Sequence, residues 1–589
     1  MAQVCSKGAV WHGVVAALCL WCCPSVLWGQ NPGSTAKTAL TEPRLGEEPH
    51  ARALSVAQRR RPAQDEEEQT PVAPLPPPGA GPVFNPMEDR WRLGYRRNLL
   101  NPYQQNLLKG DYPILGQHTF LVLTGTSDTL LEARELPVPS GVSTARPGSA
   151  GFFGDNNQMF VRQNLLLRFE LFKGDTAFKP LDWLLTVTPV FNLNHLDVEE
   201  HGIVSPDVRQ GTVRTRTDLA LQEAFLEYHL VNLSRRYDFI SIKVGMQPFN
   251  SDFRSFIFND TNLAARLFGN FGNNRYQYNV LFFKMLEKDT NSELNTFAWR
   301  DQQVLIANLY WQDFLWPGYT SQFSVHYNRD EATLRFDDNN FLVRPDPVGN
   351  FKPHEVNVAY LGWTSAGHIG RLNVTHAAYL AFGKDEHNPL AGRRVDINAQ
   401  MVALELSMDF DWLRPKISFL WASGDRHPQD GTATGFDTIL DKPNFAGGAF
   451  SFWNRQGIRL LGVGLVQRES LLPNLRSSKL QGQVNFVNPG LLLAHAGLDV
   501  EVTPTVRTFV NVSYLRFAHT EPLEVFLQQP DIGADIGVDL SIGAMYRPLL
   551  NNNIMITGGI AALVPGAGFH DLLTSDTLFQ GFVNVTLTY

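Results

Sequence analysis

Cysteine is almost absent from this chain. All four cysteines, Cys5, Cys19, Cys22 and Cys23, lie within the first 23 residues. If that segment is removed on export, the mature chain has no thiol, which excludes both a disulfide framework and a cysteine-ligated metal. The stability of the mature protein must then come from hydrogen bonding and packing.

Charged residues are also scarce. They make up 18% of the sequence, below the roughly 25% usual for soluble globular proteins. The formal net charge of −8 comes without a basic patch, so a nucleic-acid partner is not expected. Glycine (47 residues) and phenylalanine (39 residues) are plentiful, a profile typical of a strand-rich protein with an apolar outer surface.

Long apolar runs are missing from most of the chain. Beyond residue 115 no stretch reaches the roughly 18 apolar residues that a membrane-spanning helix requires. The apolar segment Ala9–Cys23 follows Lys7 and predicts a secretory signal peptide over residues 1–29, cleaved near Gly29. An uncleaved membrane anchor and a lipoprotein attached through Cys22 or Cys23 remain the alternatives.

Residues 30–86 are polar and rich in proline. They carry the acidic run Asp65–Glu68 and the tract Pro74–Pro78. Such a segment buries too little apolar surface to offset its ordering entropy, so it predicts a disordered periplasmic leader. The leader is either a spacer or an arm that binds peptidoglycan or a protein partner. Residues 87–589 are expected to form one domain.

Apolar and polar residues alternate through this domain. Leu165, Leu167 and Phe169 are apolar residues at odd positions, whereas even positions nearby carry Arg168 and Glu170. A period of two places the two sets on opposite faces of a β-strand. The same pattern recurs in other segments, among them 185–194, 240–247, 322–328 and 538–546.

Roughly 16 to 18 such segments occur between about Thr119 and Tyr589, each about as long as an outer-membrane barrel strand. Short turns, such as those at Pro504 and Asn551–Asn553, alternate with long polar loops at 137–156, 330–353 and 425–452. In hydrocarbon a sheet must close to satisfy its edges. The sequence therefore predicts an all-β fold, a transmembrane antiparallel β-barrel of about 18 strands, with 16 possible, that has an oily exterior and a wet interior.

The last segment keeps the alternation to the final residue. Phe579, Val583, Val585, Leu587 and Tyr589 share one face, and only Phe582 breaks the pattern. A terminal amphipathic strand that ends in an aromatic residue is typical of outer-membrane barrels. We therefore expect the bacterial outer membrane as the location, its lipid as a partner, and recognition of the C-terminal strand by the assembly machinery.

Several short motifs carry a family resemblance. The sequence resembles the alginate-export type of outer-membrane porin, and more loosely the phosphate-selective and other substrate-specific porins. The resemblance implies a monomeric barrel of about 18 strands that carries an anionic polysaccharide through a basic lumen. It rests on Ile242–Phe249, Asn259–Thr261, Arg266–Gly269, Ser423–Asp425, Ile536–Leu540, Tyr546–Pro548 and Val564–Gly566.

The inward-facing positions of the predicted strands carry charges of both signs. Inside a wide barrel such charges either select and orient solutes or pair with each other and brace the wall. Both interpretations stay open. The sequence predicts a channel for polar, anionic or saccharide solutes, and the candidate pore-lining residues are Arg162, Arg168, Glu170, Glu223, Glu227, Lys243 and Arg266.

Catalytic and metal-binding patterns are weak. His326 and His376 fall on predicted strands, but spacing ties neither to a serine, so no enzyme is predicted. Asp337–Asn340, and Asp425 with Asp430, are either solvated loop charges or outward-facing calcium ligands. No cofactor and no metal are predicted. The alternative functions are a surface anchor or adhesin with a plugged pore and, third, a soluble exported β-rich sugar-binding protein.

Overall fold

The structure is a computed structural model that describes residues 106–138, 155–174, 180–236, 238–463, 465–466 and 468–589. The predicted signal peptide (1–29) and leader (30–86) lie outside these residues. Three short α-helices are described, α1 (Phe452–Gln456), α2 (Glu521–Leu527) and α3 (Ala567–Leu572). None of the described helices is long and apolar enough to cross a membrane.

The strands of the described residues are numbered in chain order. They are β1 (Lys109–Leu115), β2 (Thr119–Glu135), β3 (Asn157–Lys173), β4 (Trp183–Val198), β5 (Val213–Asn232), β6 (Phe239–Asn250), β7 (Asn259–Phe271), β8 (Tyr276–Lys288), β9 (Asn295–Trp311), β10 (Tyr319–Asp330), β11 (Arg335–Phe336), β12 (Leu342–Arg344), β13 (Val356–Ile369), β14 (Leu372–Asn388), β15 (Arg393–Met408), β16 (Leu413–Ala422), β17 (Thr432–Ala433), β18 (Leu491–Thr503), β19 (Val506–Phe517), β20 (Asp535–Tyr546), β21 (Ile554–Pro565) and β22 (Leu578–Thr588).

Eighteen of these strands form one closed antiparallel barrel, as predicted. Each long strand pairs with the next along the chain, and β22 closes the wall against β2 from Thr126↔Thr588 to Arg134↔Gln580. The strand β1 pairs with the start of β2, from Lys109↔Val122 to Leu115↔Thr119, and β3 pairs with the other edge of β2. The first and last strands therefore share one neighbour, which leaves β2 paired along both edges.

The alternation of the sequence corresponds to the two faces of the wall. On β3, Leu165 and Phe169 are 48% and 39% exposed on the outside, whereas Arg168 is only 4% exposed on the inside. The outward apolar set recurs on the other strands, for example at Phe323 and Val325 of β10. The prediction that the apolar side chains form the outer face of the wall is confirmed.

Connections differ between the two rims. One rim carries short turns, such as 370–371, 409–412 and 504–505, and the other carries the long loops 331–355, 423–490 and 518–534. Alternation of short and long connections was predicted and is confirmed. We call these the turn rim and the loop rim.

The prediction for the third long loop is wrong in its bounds and in describing the loop as polar. The sequence predicted a polar loop over 425–452, but the connection runs from 423 to 490 and folds into the barrel. Its side chains Phe436, Phe452 and Trp453 are at most 1% exposed. Apolar groups of this size are stable only when removed from water, so the segment packs against the inner wall. We call residues 423–490 the bridging loop.

The prediction of a wet interior is wrong where the bridging loop packs against the wall. Inward-facing Val304 and Ile306 of β9 and Val358 and Tyr360 of β13 are fully buried, and they belong to one apolar cluster with the bridging loop. The inner wall is apolar where the bridging loop packs against it, because the apolar side chains of the loop are stable only in contact with other apolar groups. Phe582, the exception in the last strand, points inward for the same reason.

Candidate functional site

The seven predicted pore-lining residues all lie on the inner face of neighbouring strands. Arg162, Arg168 and Glu170 come from β3, and Glu223 and Glu227 come from β5. Lys243 and Arg266 follow on β6 and β7 in the half of the barrel near the turn rim. We call the inner face of β3–β7 the charged sector.

Arg168 is the centre of a buried ion cluster. Its Nη1 lies 2.9 Å from Glu223 Oε2, and its Nη2 lies 2.9 Å from Glu170 Oε1. The Thr188 hydroxyl also donates to Glu223 Oε2, at 2.6 Å. Charge-assisted hydrogen bonds of this kind are strong and directional, so the cluster fixes the guanidinium against the wall.

The charges on β6 and β7 are held differently. Lys243 Nζ lies 2.8 Å from Glu227 Oε2 and 4.5 Å from the centroid of the Phe225 ring. Arg266 donates to Asn279 Oδ1 at 2.9 Å and lies 4.6 Å from the Phe268 ring centroid. Among the described residues no carboxylate lies within 4 Å of Arg266, so it forms no direct ion pair there.

Arg162 lies apart from this group. Its Nη2 is 3.1 Å from Asp128 Oδ2 on β2, and its side chain is 26% exposed. Asn584 of β22 donates to the other oxygen of Asp128 at 3.0 Å. The structure therefore brings the other six predicted residues onto one side of the barrel and links Arg162 to the closing strands.

The bridging loop is attached to the inner wall at the closing strands. Glu132 of β2 lies 2.6 Å from Arg455 Nε and accepts from Gln456 Nε2 at 3.0 Å. Gln456 also contacts Gln580 of β22 at 2.6 Å. At the other end of α1, Asp539 of β20 accepts from the Trp453 backbone N–H at 2.9 Å. Two buried wall carboxylates thus hold both ends of the helix.

An aromatic wedge completes this attachment. Phe450 stacks on Phe509 of β19 with ring centroids 4.7 Å apart. A Cβ atom at Gly543 or Gly559 would lie 2.1 Å or 2.9 Å from Cδ1 of Phe450. The wall needs glycine at both positions because the ring occupies the space that a side chain would take. We call the inner face of β20, β21, β22 and β2 the seam sector.

The other end of the bridging loop reaches the opposite wall. Arg300 of β9 donates to the Gly482 carbonyl at 2.8 Å, and Tyr360 of β13 donates to the Asp437 carbonyl at 3.2 Å. Arg344, from loop 331–355, donates to the Gln481 carbonyl at 2.6 Å and pairs with Glu287 of β8. In the strand order, β8–β13 lie across the barrel from the seam sector. The loop therefore crosses the lumen.

Inside the bridging loop, one carboxylate organises the far end. Asp437 lies 2.6 Å from Arg476 Nε and 3.1 Å from Lys479 Nζ. Burial raises the pKa of Asp437, but the two cations outweigh it, and the pKa is lowered from its ordinary value. The carboxylate stays charged and holds the segment 476–479 in place.

A second loop also enters the barrel. In loop 251–258, the Ser251 carbonyl accepts from Asn308 of β9 at 3.2 Å, and Asp252 accepts from the Tyr379 hydroxyl of β14 at 3.1 Å. Arg254 reaches further, to Glu405 Oε1 of β15 at 2.5 Å. Sequence reasoning missed this loop, because nothing in its short length distinguishes it from an exposed connection.

A serine and a histidine do meet on the inner wall, although not the histidines singled out from the sequence. His495 Nδ1 lies 3.1 Å from Ser418 Oγ. The Ser418 hydroxyl, however, donates its proton to Glu405 Oε2 at 2.9 Å, so it is not activated by the imidazole. His376 instead contacts the Tyr319 hydroxyl, and His326 packs beside Tyr360.

The acidic loops considered for calcium are internally bonded. Asp337 Oδ1 accepts from the backbone N–H groups of Asn339 and Phe341, and Asp425 Oδ1 accepts from that of His427. Within the described residues no group of three or more metal-ligating side chains is positioned to hold an ion. These bonds are those of ordinary loop turns.

Comparison with known proteins gives distant matches in structure alone. No family model and no curated protein matches the sequence. Among solved structures, OccK9 (OpdG) of Pseudomonas aeruginosa has a TM-score of 0.44 and 11% identity over 80% of this chain and 98% of its own. OccAB4 of Acinetobacter baumannii has a TM-score of 0.43 and 11% identity over 80% and 99%.

A third solved structure, OccK2 (OpdF) of Pseudomonas aeruginosa in complex with glucuronate, has a TM-score of 0.43 and 10% identity over 80% of this chain and 97% of its own. These neighbours are substrate-specific outer-membrane porins. None of the three is named as an alginate exporter, so the resemblance to the alginate-export type stays a prediction.

Proposed function

We propose that this chain is a bacterial outer-membrane channel for small polar solutes, with no catalytic activity of its own. The observation that carries the proposal is the distribution of charge in a sealed wall of eighteen strands. Side chains alone do not fill a barrel of this width, in contrast to one of about eight strands. Charged groups such as Arg168 and Lys243 face inward, and the outer face is apolar.

Anionic solutes, including acidic sugars, are the favoured class. Arg266 faces the interior without a carboxylate within 4 Å among the described residues, whereas the acids Glu223 and Glu227 are each paired with a cation. Because Arg266 forms no direct ion pair with a described carboxylate, it can contact an anionic group of a solute, while the neighbouring ion pairs orient polar groups.

The test is conductance of the refolded protein in planar bilayers. We expect stepwise currents, and a reversal potential under a potassium chloride gradient that shows anion preference. Liposome swelling with glucuronate and with neutral glucose then compares an anionic and a neutral solute of similar size. The complete absence of channels from correctly folded protein would refute the proposal.

A plugged surface anchor is the second candidate, because the bridging loop crosses the lumen from Glu132 to Arg300. The same recording separates the two. If the folded barrel stays closed and opens only when residues 443–482 are replaced by a short glycine-serine linker, the barrel is an anchor with a plug.

Outer-membrane placement and assembly through the C-terminal strand are part of the proposal. The Tyr589 backbone N–H donates to the Gly125 carbonyl at 2.8 Å, and Lys109 Nζ lies 4.2 Å from the centroid of its ring. Deletion of Tyr589 should lower the amount of folded barrel in outer-membrane fractions without changing conductance per channel. An unchanged amount would count against this role.

A further inference from the structure

The outer face of the barrel carries a small group of polar side chains inside its apolar surface. The group consists of Ser127 and Thr129 of β2 and Gln163 of β3, and we call it the outer polar group. We propose that it is the centre of an interface at which a second copy of this chain binds within the membrane. The inference goes beyond the proposed function, because it concerns the association of barrels and not passage through them.

The three side chains of the outer polar group face away from the lumen. The residues next to them in sequence, Asp128 and Arg162, form an ion pair on the inner face, and successive residues of a strand point to opposite sides. Thr129 pairs directly with Gln163 across the two strands. All three side chains are partly exposed, so they belong to the outer surface.

Apolar outward side chains surround the outer polar group. Those that flank it on its own strands and on the neighbouring strands β4 and β22 are Leu131, Val161, Leu165, Leu193, Val585 and Leu587. Leu131 and Leu165 are both 48% exposed. Hydrocarbon offers no hydrogen-bonding partner at such a surface, so polar side chains are costly there. A partner that can form hydrogen bonds would remove this cost.

Hydrogen bonds within the outer polar group leave one donor and one acceptor position unused. Thr129 Oγ1 donates to Gln163 Oε1 at 2.5 Å. Gln163 Nε2 donates to Ser127 Oγ and to the Asn164 carbonyl, both at 3.0 Å. The Ser127 hydroxyl therefore accepts, and its own O–H has no acceptor among the described residues. Gln163 Oε1 has a second lone pair. A free donor and a free acceptor thus lie side by side.

A second copy of the chain fits this arrangement. Two barrels in one membrane have the same orientation, so a two-fold axis that relates them is parallel to the membrane normal and brings identical residues together at the same depth. With the axis beside Gln163, the Ser127 O–H of each copy faces Gln163 Oε1 of the other. The surrounding leucines pack against their own copies. Polar contacts of this kind join membrane segments, because lipid cannot replace them.

Disulfide formation in outer-membrane fractions tests the interface directly. The natural cysteines all precede residue 24, so Gln163→Cys provides a single thiol once the predicted signal peptide is removed. Oxidation with copper phenanthroline should convert most of this variant into a species of twice the mass. Leu380→Cys on β14 is the matched control, because that outward side chain is 53% exposed on strands remote from β2 and β3. It should give only the background amount of dimer.

Removal of the polar contacts is the second experiment. Gln163→Leu combined with Ser127→Ala should weaken association about tenfold, as measured by energy transfer between differently labelled barrels in liposomes. Both replacements make the outer face more apolar, so the barrel should fold, and its heat-modifiable migration on gels checks this. Thr508→Val removes an outward hydroxyl from β19. It is the control and should leave association unchanged.

The outcomes separate this inference from the proposed function. No dimer at position 163, equal cross-linking at positions 163 and 380, or cross-linking only to a protein of another mass would overturn the second copy as the partner. Association unchanged by the double substitution would overturn the outer polar group as the centre of the interface. A folded protein that never conducts would refute the proposed channel alone, because none of these measurements depends on a current.

Discussion

The docking of Phe450 against Gly543 gives the sharpest prediction. Gly543→Ala places a methyl group 2.1 Å from Cδ1 of the Phe450 ring, a distance at which something must move. Overpacking a buried site costs about 1–3 kcal/mol, and the entropy gained by replacing glycine offsets only about 0.4–1 kcal/mol. We therefore expect a net loss of about 1–2 kcal/mol in the free energy of unfolding.

The measurement is guanidinium-induced unfolding of the barrel in detergent, followed by tryptophan fluorescence. Gly125→Ala is the control for loss of a glycine in a barrel strand, because a Cβ added there would have no described atom within 4 Å. It should be neutral or slightly stabilising. Gly125 pairs with the outward-facing Leu167 and Gly543 with the inward-facing Phe509, so the control measures the loss of a strand glycine without the loop ring.

A double-mutant cycle identifies the clash as the cause. Phe450→Ala alone should cost about 3–5 kcal/mol, since a large buried ring is lost. In the Phe450→Ala background, Gly543→Ala should cost nothing further, with a coupling of about 1–2 kcal/mol between the sites. Strictly additive effects, or equal values for Gly543→Ala and Gly125→Ala, would refute the proposed docking of the ring.

Three further outcomes are expected. Burial raises the pKa of Asp346 to about 6, above the unfolded value, so the contribution of Asp346 to stability is greatest below pH 4 and falls by up to about 3 kcal/mol as the pH rises through 6. Asp346→Asn should remove this contribution, which is seen by comparing the free energies of unfolding of the variant and the wild type at pH 4 and pH 8. Arg168→Met should cost about 3–5 kcal/mol in the same assay, because it leaves Glu223 buried and unpaired, and adding Glu223→Gln should recover part of the loss. Deletion of the leader, residues 30–86, should leave single-channel conductance unchanged if it is a spacer, and altered gating would instead favour a partner-binding arm.

Several features of the fold were predictable from the order of the residues. The alternation around Arg168 assigned the inward and outward faces of β3 correctly, and the short turn at Pro504 was placed correctly. Both depend on local physics, because neighbouring side chains of a strand must point to opposite sides. The number of strands followed from counting such segments.

The candidate site was predictable only in part. Parity placed Lys243 and Arg266 on the inner face, but pairing with Glu227 or Asn279 depends on which strand lies beside which, and on register. Glu132 and Asp539 carried no signal beyond an acidic residue at an inward position. Their partners in the bridging loop lie far away in the sequence, and no local pattern connects them.

Closure of the chain into a wall with an apolar outside follows from the amino-acid sequence alone, since the alternation is a local property repeated along every strand. The packing of loops inside the barrel does not follow from this alternation. The apolar residues of the bridging loop had to find complementary surface across the barrel, and that arrangement depends on contacts between distant segments. It is this long-range packing that decides which parts of the inner wall are covered by apolar groups.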